Sequence, residues 1–218
     1  MIPSDCLPNR RLFLKASIGL AAASTALTSL SIPPVATAAD DDESWVIGPQ
    51  PGYSPQVGIL VSQLHFTRQQ VTANVKGMSQ ADLDFLLDAK ANTIGALLYH
   101  LAATDHYYAL STFGGLKWGS WPDDEKKTWD IPMNLGDPAR KAIKGKNLDY
   151  YLNILRETRE HTLQELKKRD DKWLMTVDAD FGANNYGKWF HVAEHESNHD
   201  GQIKFLKSRL PGAKPASE

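Results

Sequence analysis

The stretch KWFHVAEHESNHDGQI, Lys188 to Ile203, decides how this chain folds. At 100° per residue, Val192, His195, His199, Ile203, Leu206 and Leu210 fall within roughly 80° of one another. The spacing predicts a helix from about Lys188 to Leu210, ended by Pro211-Gly212. A stripe that narrow belongs against a core, and here two imidazoles interrupt it, one turn apart on the same face. A buried imidazole must place both ring nitrogens with partners. Two hydrogen-bonded core histidines would do so. A shared divalent transition ion would too, since neutral imidazoles at i and i+4 reach one centre. His191 lies one turn earlier and makes 191/195 a rival pair, but it sits farther from the stripe centre, with Gln202 on the same side. The pattern favours His195 and His199.

Three more long amphipathic helices precede this one. From Val57 to Lys76 the apolar positions Val57, Leu60, Val61, Leu64, Val71 and Val75 share a face. Arg68 is the one break in that stripe; its stem packs while its head reaches for water or an acidic partner. Gly77 ends the helix, and Ser79-Gln-Ala-Asp82 reads as a capping box for a short one. A second long helix runs from about Asn92 to Phe113 and stops at Gly114-Gly115. Asn147 is an N-cap for a third, whose stripe is Leu148, Tyr151, Leu152, Leu155, Thr162 and Leu166. No segment alternates convincingly enough for a strand. The expected fold is therefore all-α, an up-down four-helix bundle. Between its second and third helices lies a long insertion, about 114–146, holding Trp118, Trp121, Trp129, Pro122, Pro132 and Pro138. It is too aromatic for a flexible linker and too long for a plain connection. We expect an ordered cover over one end of the domain, with a short helical piece near Pro138 to Ile143.

Two ligands on one helix seldom complete a metal site. His100, in LLYHLAATDHYY on the second helix, is the candidate third. Asp105 lies closer to that helix's apolar face and is the expected partner of a ligand imidazole. Glu196, beside a ligand, is either a general base or solvated on the helix flank. His65 reads as a core filler, His106 and His161 as surface residues. His195-Glu-x-x-His199 also matches the zinc-protease letters. The metzincin form of that motif needs Gly and then His further on; Gln202 stands in the Gly position and no histidine follows His199. A di-iron carboxylate bundle needs two Glu-x-x-His motifs, and only Glu196-x-x-His199 is present.

Bulk composition is that of a globular chain: 218 residues, 42% hydrophobic, 23% charged, net charge −2. Nothing suggests the clustered basic face of a nucleic-acid binder. Cys6 is the only cysteine, so neither a disulfide within the chain nor a cysteine-based zinc site can form. The first residues read as an export leader. Arg10-Arg11-Leu-Phe-Leu-Lys15 is followed by a small-residue apolar run and by Ala36-x-Ala38. That string looks like a twin-arginine signal. The expected layout is a signal over 1–38, a linker over 39–53, the helical domain over 54–212 and a tail over 213–218. Location would be periplasmic or otherwise extracytoplasmic, with membrane contact only through an uncleaved signal.

GALLYHLAATDHYY and KWFHVAEHESNHDGQI, with MSQADLDFLLD between the first two helices, resemble the DinB-like family of four-helix bundles, the DinB/YfiT-like metalloenzymes. The resemblance covers most of residues 54 to 210. It implies a DinB/YfiT-type bundle whose metal triad falls on His100, His195 and His199. It also implies a divalent ion, zinc or nickel, with water in the open position. Asp105 matches the family's acidic residue after the first histidine. Some relatives are thiol-dependent transferases or isomerases. The function expected here is a metal-dependent hydrolase or a thiol or group transferase on a small-molecule substrate. The alternative is a non-enzymatic metal-binding or stress-related bundle, forming a homodimer through helix faces.

Overall fold

The computed structural model describes residues 46–214. The expected leader over 1–38 lies outside them, as do the start of the linker and the end of the tail. The elements in order are α1 (Pro55–Val75), α2 (Gln80–Asp84), α3 (Ile94–Thr112), α4 (Asp123–Asn134) and α5 (Gly136–Ala142). Then come α6 (Leu148–Leu166), α7 (Asp171–Met175), β1 (Val177–Asp178), β2 (Ala183–Asn184) and α8 (Asn185–Lys207). The four long helices are the four predicted ones. α8 begins at Asn185, ahead of Lys188, because the Asn184 side chain accepts from the Gly187 N–H at 2.7 Å. The capping box at Ser79 and Asp82 forms as predicted.

Two features were not expected. The insertion contains the three-turn helix α4, and the loop before α8 carries a two-residue antiparallel ladder, Val177 opposite Asn184. α7 also caps α1 from outside: Asp171 Oδ1 accepts from Ser54 Oγ at 2.6 Å and from the Gln56 and Val57 N–H groups at 2.9 and 3.2 Å. α1 has no side-chain cap of its own, so this carboxylate takes its free N–H groups.

α1 packs on α8 and α6, and α3 packs on α6 and α8, which closes a ring. Cross-helix contacts give the directions. Lys207 Nζ reaches the Asn74 carbonyl, so α1 and α8 end together and run parallel. Gly95 abuts Tyr151 while Asp105 bonds Thr162, so α3 and α6 are parallel as well. His100 meets His199 while Thr112 meets Trp189, so α3 and α8 are antiparallel. The chain thus runs up, down, down, up, which corrects the up-down expectation. The reason is the insertion. Two parallel neighbours cannot be joined by a short turn, so residues 114–147 must carry the chain back along the bundle. α4 does this while lying on α3. It is a crossover rather than a cover over one end. Trp121, 8% exposed, stacks on Tyr107 at 4.7 Å, and Trp118 packs on Tyr108 at 4.7 Å.

Among the described residues the core is in two clusters. One gathers Val71, Leu97, Leu101, Tyr151, Leu155 and Ile203. The other gathers Leu60, Leu64, Tyr108, Leu166, Trp189 and Val192. Every long helix passes from one cluster to the other, and between them each contributes buried or half-buried polar side chains. That layer includes Thr67 and Arg68, then His100 and Asp105, then Arg159 and Thr162, then Glu196 and His199.

Candidate metal centre

His100 reaches this polar layer from α3, whose first turn is capped by the Thr93 hydroxyl. His195 and His199 reach it from successive turns of α8. His195 Nε2 lies 3.2 Å from His100 Nε2 and 3.1 Å from His199 Nε2. One ligand nitrogen from each ring lies within 4.8 Å of the others. Nitrogens bound at 2.0–2.1 Å around a tetrahedral zinc stand about 3.3 Å apart. The rings are therefore close to the separation that a shared ion imposes.

In two of the rings the far nitrogen has an oxygen partner that fixes its proton. His100 Nδ1 lies 3.0 Å from the Pro132 carbonyl. A carbonyl only accepts, so Nδ1 carries the hydrogen and Nε2 presents its lone pair. His199 Nδ1 lies 3.1 Å from Gln202 Oε1, an acceptor that suits the same tautomer. His195 Nδ1 is buried without a hydrogen-bond partner. Two lone pairs thus face the third ring, whose Nε2 can offer one proton at most. Three nitrogens aimed at one point with so little hydrogen to share form a donor set suited to a cation. Burial, with His199 close by, pushes His100 down to about 4, against a smaller upward pull from the Pro132 and Met133 carbonyls. Burial and the neighbouring His199, His100 and His191 push His195 down to about 3. His199 is lowered chiefly by burial. All three are neutral at neutral pH, the form that binds a metal.

Glu196 and Asp105 lie in the same layer but join a different centre. Glu196 Oε1 accepts from Arg159 Nη2 at 2.7 Å and Arg68 Nε at 3.0 Å, with a further bond from Arg68 Nη2. Its Oε2 accepts from Thr67 Oγ1 at 2.9 Å. Asp105 accepts from Arg159 Nε at 2.8 Å and Thr162 Oγ1 at 2.6 Å. The guanidinia also donate to the Leu155 and Leu64 carbonyls at 2.6 and 2.7 Å. The result is a neutral quartet with a member from each long helix. Burial raises the Asp105 carboxyl, but Arg159 and Arg68 together outweigh it and hold it below the usual range. Glu196 is 1% exposed, which corrects the solvated-flank expectation. Asp105 faces arginine rather than a ligand imidazole, so the bond expected of it is not made. Asp105, held low by the two guanidinia, is a poor proton acceptor.

Sequence reasoning missed three participants. Arg159 stands on the α6 core face, four residues after Leu155 and three before Thr162, and that spacing is the signal that marked it. Gln202 was seen only as a flank. The Pro132 carbonyl carries no side-chain signal at all. Of the remaining histidines, His191 stays 5.5 Å from His195 between ring centroids and pairs with Glu194 at 3.4 Å. His65 is exposed, not a core filler. His106 is half-buried, stacked on Trp129 at 4.4 Å and paired with Glu125 at 2.7 Å.

Comparison with known proteins agrees with the fold. No curated protein matches the chain. A solved structure of a conserved protein from Enterococcus faecalis superposes with a TM-score of 0.53 at 11% identity. The match covers 69% of this chain and 94% of that one. At that identity it speaks for the fold alone. The family model of the DinB superfamily matches residues 63–203, a span that takes in His100, His195, His199 and all four quartet residues. The chain therefore belongs to the DinB superfamily.

Proposed function

We propose that this protein is an exported metalloenzyme acting on a small molecule, with zinc or nickel held by His100, His195 and His199. The observation that carries the reading is the convergence of three Nε2 atoms with two of their tautomers fixed from behind. We read the ring of long helices as a four-helix bundle of the DinB/YfiT type, with the 114–146 insertion as its crossover. Bound, the ion would supply an open position at which water or a thiol is acidified and a carbonyl polarised. That chemistry suits a hydrolase or a thiol or group transferase. The protein's own residues do the positioning. Pro132 and Gln202 aim two rings, and the quartet sets the spacing of α3 and α8. We assign Asp105 and Glu196 to that holding role in place of proton transfer. The twin-arginine string supports a working place outside the cytoplasm, and an Arg10→Lys, Arg11→Lys variant should then stay inside.

A second reading, a metal-binding bundle without an activity, has one observation in its favour. A cavity of about 580 Å³ opens between α3, α4 and α6, beside Tyr99, His106, Glu125 and Trp129, and the three histidines do not line it. Either reading allows a homodimer through helix faces, and neither calls for nucleic acid. Metal content of the untagged protein tests what both share. About one equivalent of zinc or nickel is expected in the wild type and none in a His195→Ala, His199→Ala double variant. Equal content in the two would reject the site.

A further inference from the structure

The tautomer of His100 depends on a carbonyl that an α-helix would ordinarily use itself. Pro132 lies inside α4, two residues before its end. In a continuing helix its carbonyl would accept from the N–H four residues on, at Gly136. Here the Gly136 N–H is turned away and donates to the Asn92 side-chain oxygen at 3.2 Å. Two consecutive left-handed residues turn it, Leu135 at φ 54° and Gly136 at φ 71°. Glycine adopts such a value freely, but leucine rarely does, so Leu135 is held there by its surroundings. Leu135 packs against the core cluster that includes Leu97 and Leu101.

Asn92 is itself held. Arg140 Nη1, on α5, lies 3.1 Å from the Ala91 carbonyl and 3.5 Å from Asn92 Oδ1. Both neighbours of Asn92 Oδ1 are donors, which fixes that atom as oxygen. Asn92 lies just before α3, the helix that carries His100. One side chain therefore ties the end of the crossover to the start of the ligand-bearing helix.

We propose that Asn92 is a positioning residue for the metal centre. By capturing the Gly136 N–H it frees the Pro132 carbonyl to hold His100 as the Nδ1–H tautomer, with Nε2 aimed at the ion. This rests on the metal reading above for its purpose, but not for its geometry. Without the Asn92 oxygen, the Gly136 N–H can fold back onto Pro132 and continue α4. The Pro132 carbonyl is then shared with the Gly136 N–H and drawn toward the helix axis, so its bond to His100 Nδ1 weakens and the ring is held less firmly. The crossover becomes part of the site through its main chain, which no side-chain motif reveals.

The test uses the untagged protein, free Zn²⁺ as probe, and nitrogen-15 NMR of the imidazoles in metal-free samples. Asn92→Ala should weaken Zn²⁺ binding by about 10–100-fold, as losing the partner of a ligand histidine does. Its His100 signals should shift away from the Nδ1–H pattern of the wild type. Asn92→Asp keeps an acceptor and should restore both readouts. If Asn92→Ala does not fold, Arg140→Ala carries the same readouts, with a smaller loss in the same direction. The proposal is overturned if metal-free wild type holds His100 protonated at Nε2. It is equally overturned if Asn92→Ala binds like the wild type, or binds weakly with its tautomer unchanged. Wild type that takes up no Zn²⁺ would instead sink the metal reading, and the tautomer measurement would still decide this one.

Discussion

His195 and Glu196 are neighbours in sequence and belong to opposite kinds of centre. His195 enters a cluster of neutral nitrogens that do not satisfy one another, and its Nδ1 has no partner. Glu196 enters a quartet in which each charge meets an opposite charge and further donors or acceptors. A buried polar group left short of partners calls for an explanation, and a cluster of nitrogen donors around it points to a bound cation. A closed network holds structure together. The two centres share one polar layer, yet only the histidines leave bonding capacity unused. This difference separates function from scaffold more sharply than burial, since His100, His199, Asp105 and Glu196 are all buried.

If that contrast is right, breaking the quartet has the larger effect on folding. Glu196→Ala leaves two guanidinia facing each other in the interior, and should cost about 3–5 kcal/mol of stability. Denaturant unfolding would read it; a loss below about 1 kcal/mol would mean that water already enters the quartet. The histidine double variant should behave in the opposite way. Its metal-free stability should stay within about 1 kcal/mol of the wild type, because the nitrogens it removes are poorly paired. What it loses is response to metal. Zinc at a hundred times its dissociation constant should stabilise wild type by about 2.7 kcal/mol, a rise on the order of 5–10 °C in Tm. No rise is expected in the double variant. A rise of equal size in both would place the metal elsewhere.

The sequence showed one centre and half of the other. His195 and His199 stood out because imidazoles one turn apart replaced aliphatic residues in a helical stripe. His100 was the candidate third ligand on another helix, and the resemblance put the family's triad on it. Arg68 was noticed as a break in a core face, with an acidic partner expected, and it found Glu196 and Asp105. The partners themselves were misjudged: Glu196 because charge on a helix flank reads as solvated until the neighbouring helices are in place, and Asp105 because an imidazole on its own helix stood nearer in the sequence than the arginines it meets. Helix order failed for a related reason. Periodicity finds helices and gives no direction, so a crossover and a cap look alike when both are rich in tryptophan and proline. Pro132 lay beyond any such reading, since its part is played by the main chain.

Acid should take the two centres apart in order. His100 and His195 have folded-state values of about 4 and about 3, below the ordinary 6.5 of the unfolded chain. Below 6.5 the unfolded chain binds protons that the folded centre refuses. Their contribution is intact above 6.5 and is lost as pH falls towards 4, by up to about 1.4 kcal/mol per pH unit for His100. His195, more open to solvent than His100, adds less than its shift alone implies, and His199 adds in the same direction. Asp105, lowered from 3.8, keeps its contribution above that value and loses it only at lower pH. Stability measured against pH should therefore fall in two stages. The histidine double variant keeps His100 and should lose only the part of the first stage that belongs to His195 and His199. A first stage of equal depth in that variant would assign it to other groups.

The smallest effect sharpens the contrast within the histidine centre itself. His100 and His199 each have Nδ1 held by an oxygen, but the two oxygens differ. The Pro132 carbonyl is buried and belongs to the backbone, whereas Gln202 is an exposed side chain three residues along α8. Water can replace the glutamine and cannot easily replace the carbonyl. Gln202→Ala should therefore weaken zinc binding by less than about tenfold, below the loss expected for Asn92→Ala. Stability should change by less than about 0.5 kcal/mol, as for most surface substitutions. If Gln202→Ala instead proved the more damaging of the two, His199 and not His100 would be the ring whose orientation limits the site. The crossover would then serve α3 as packing alone.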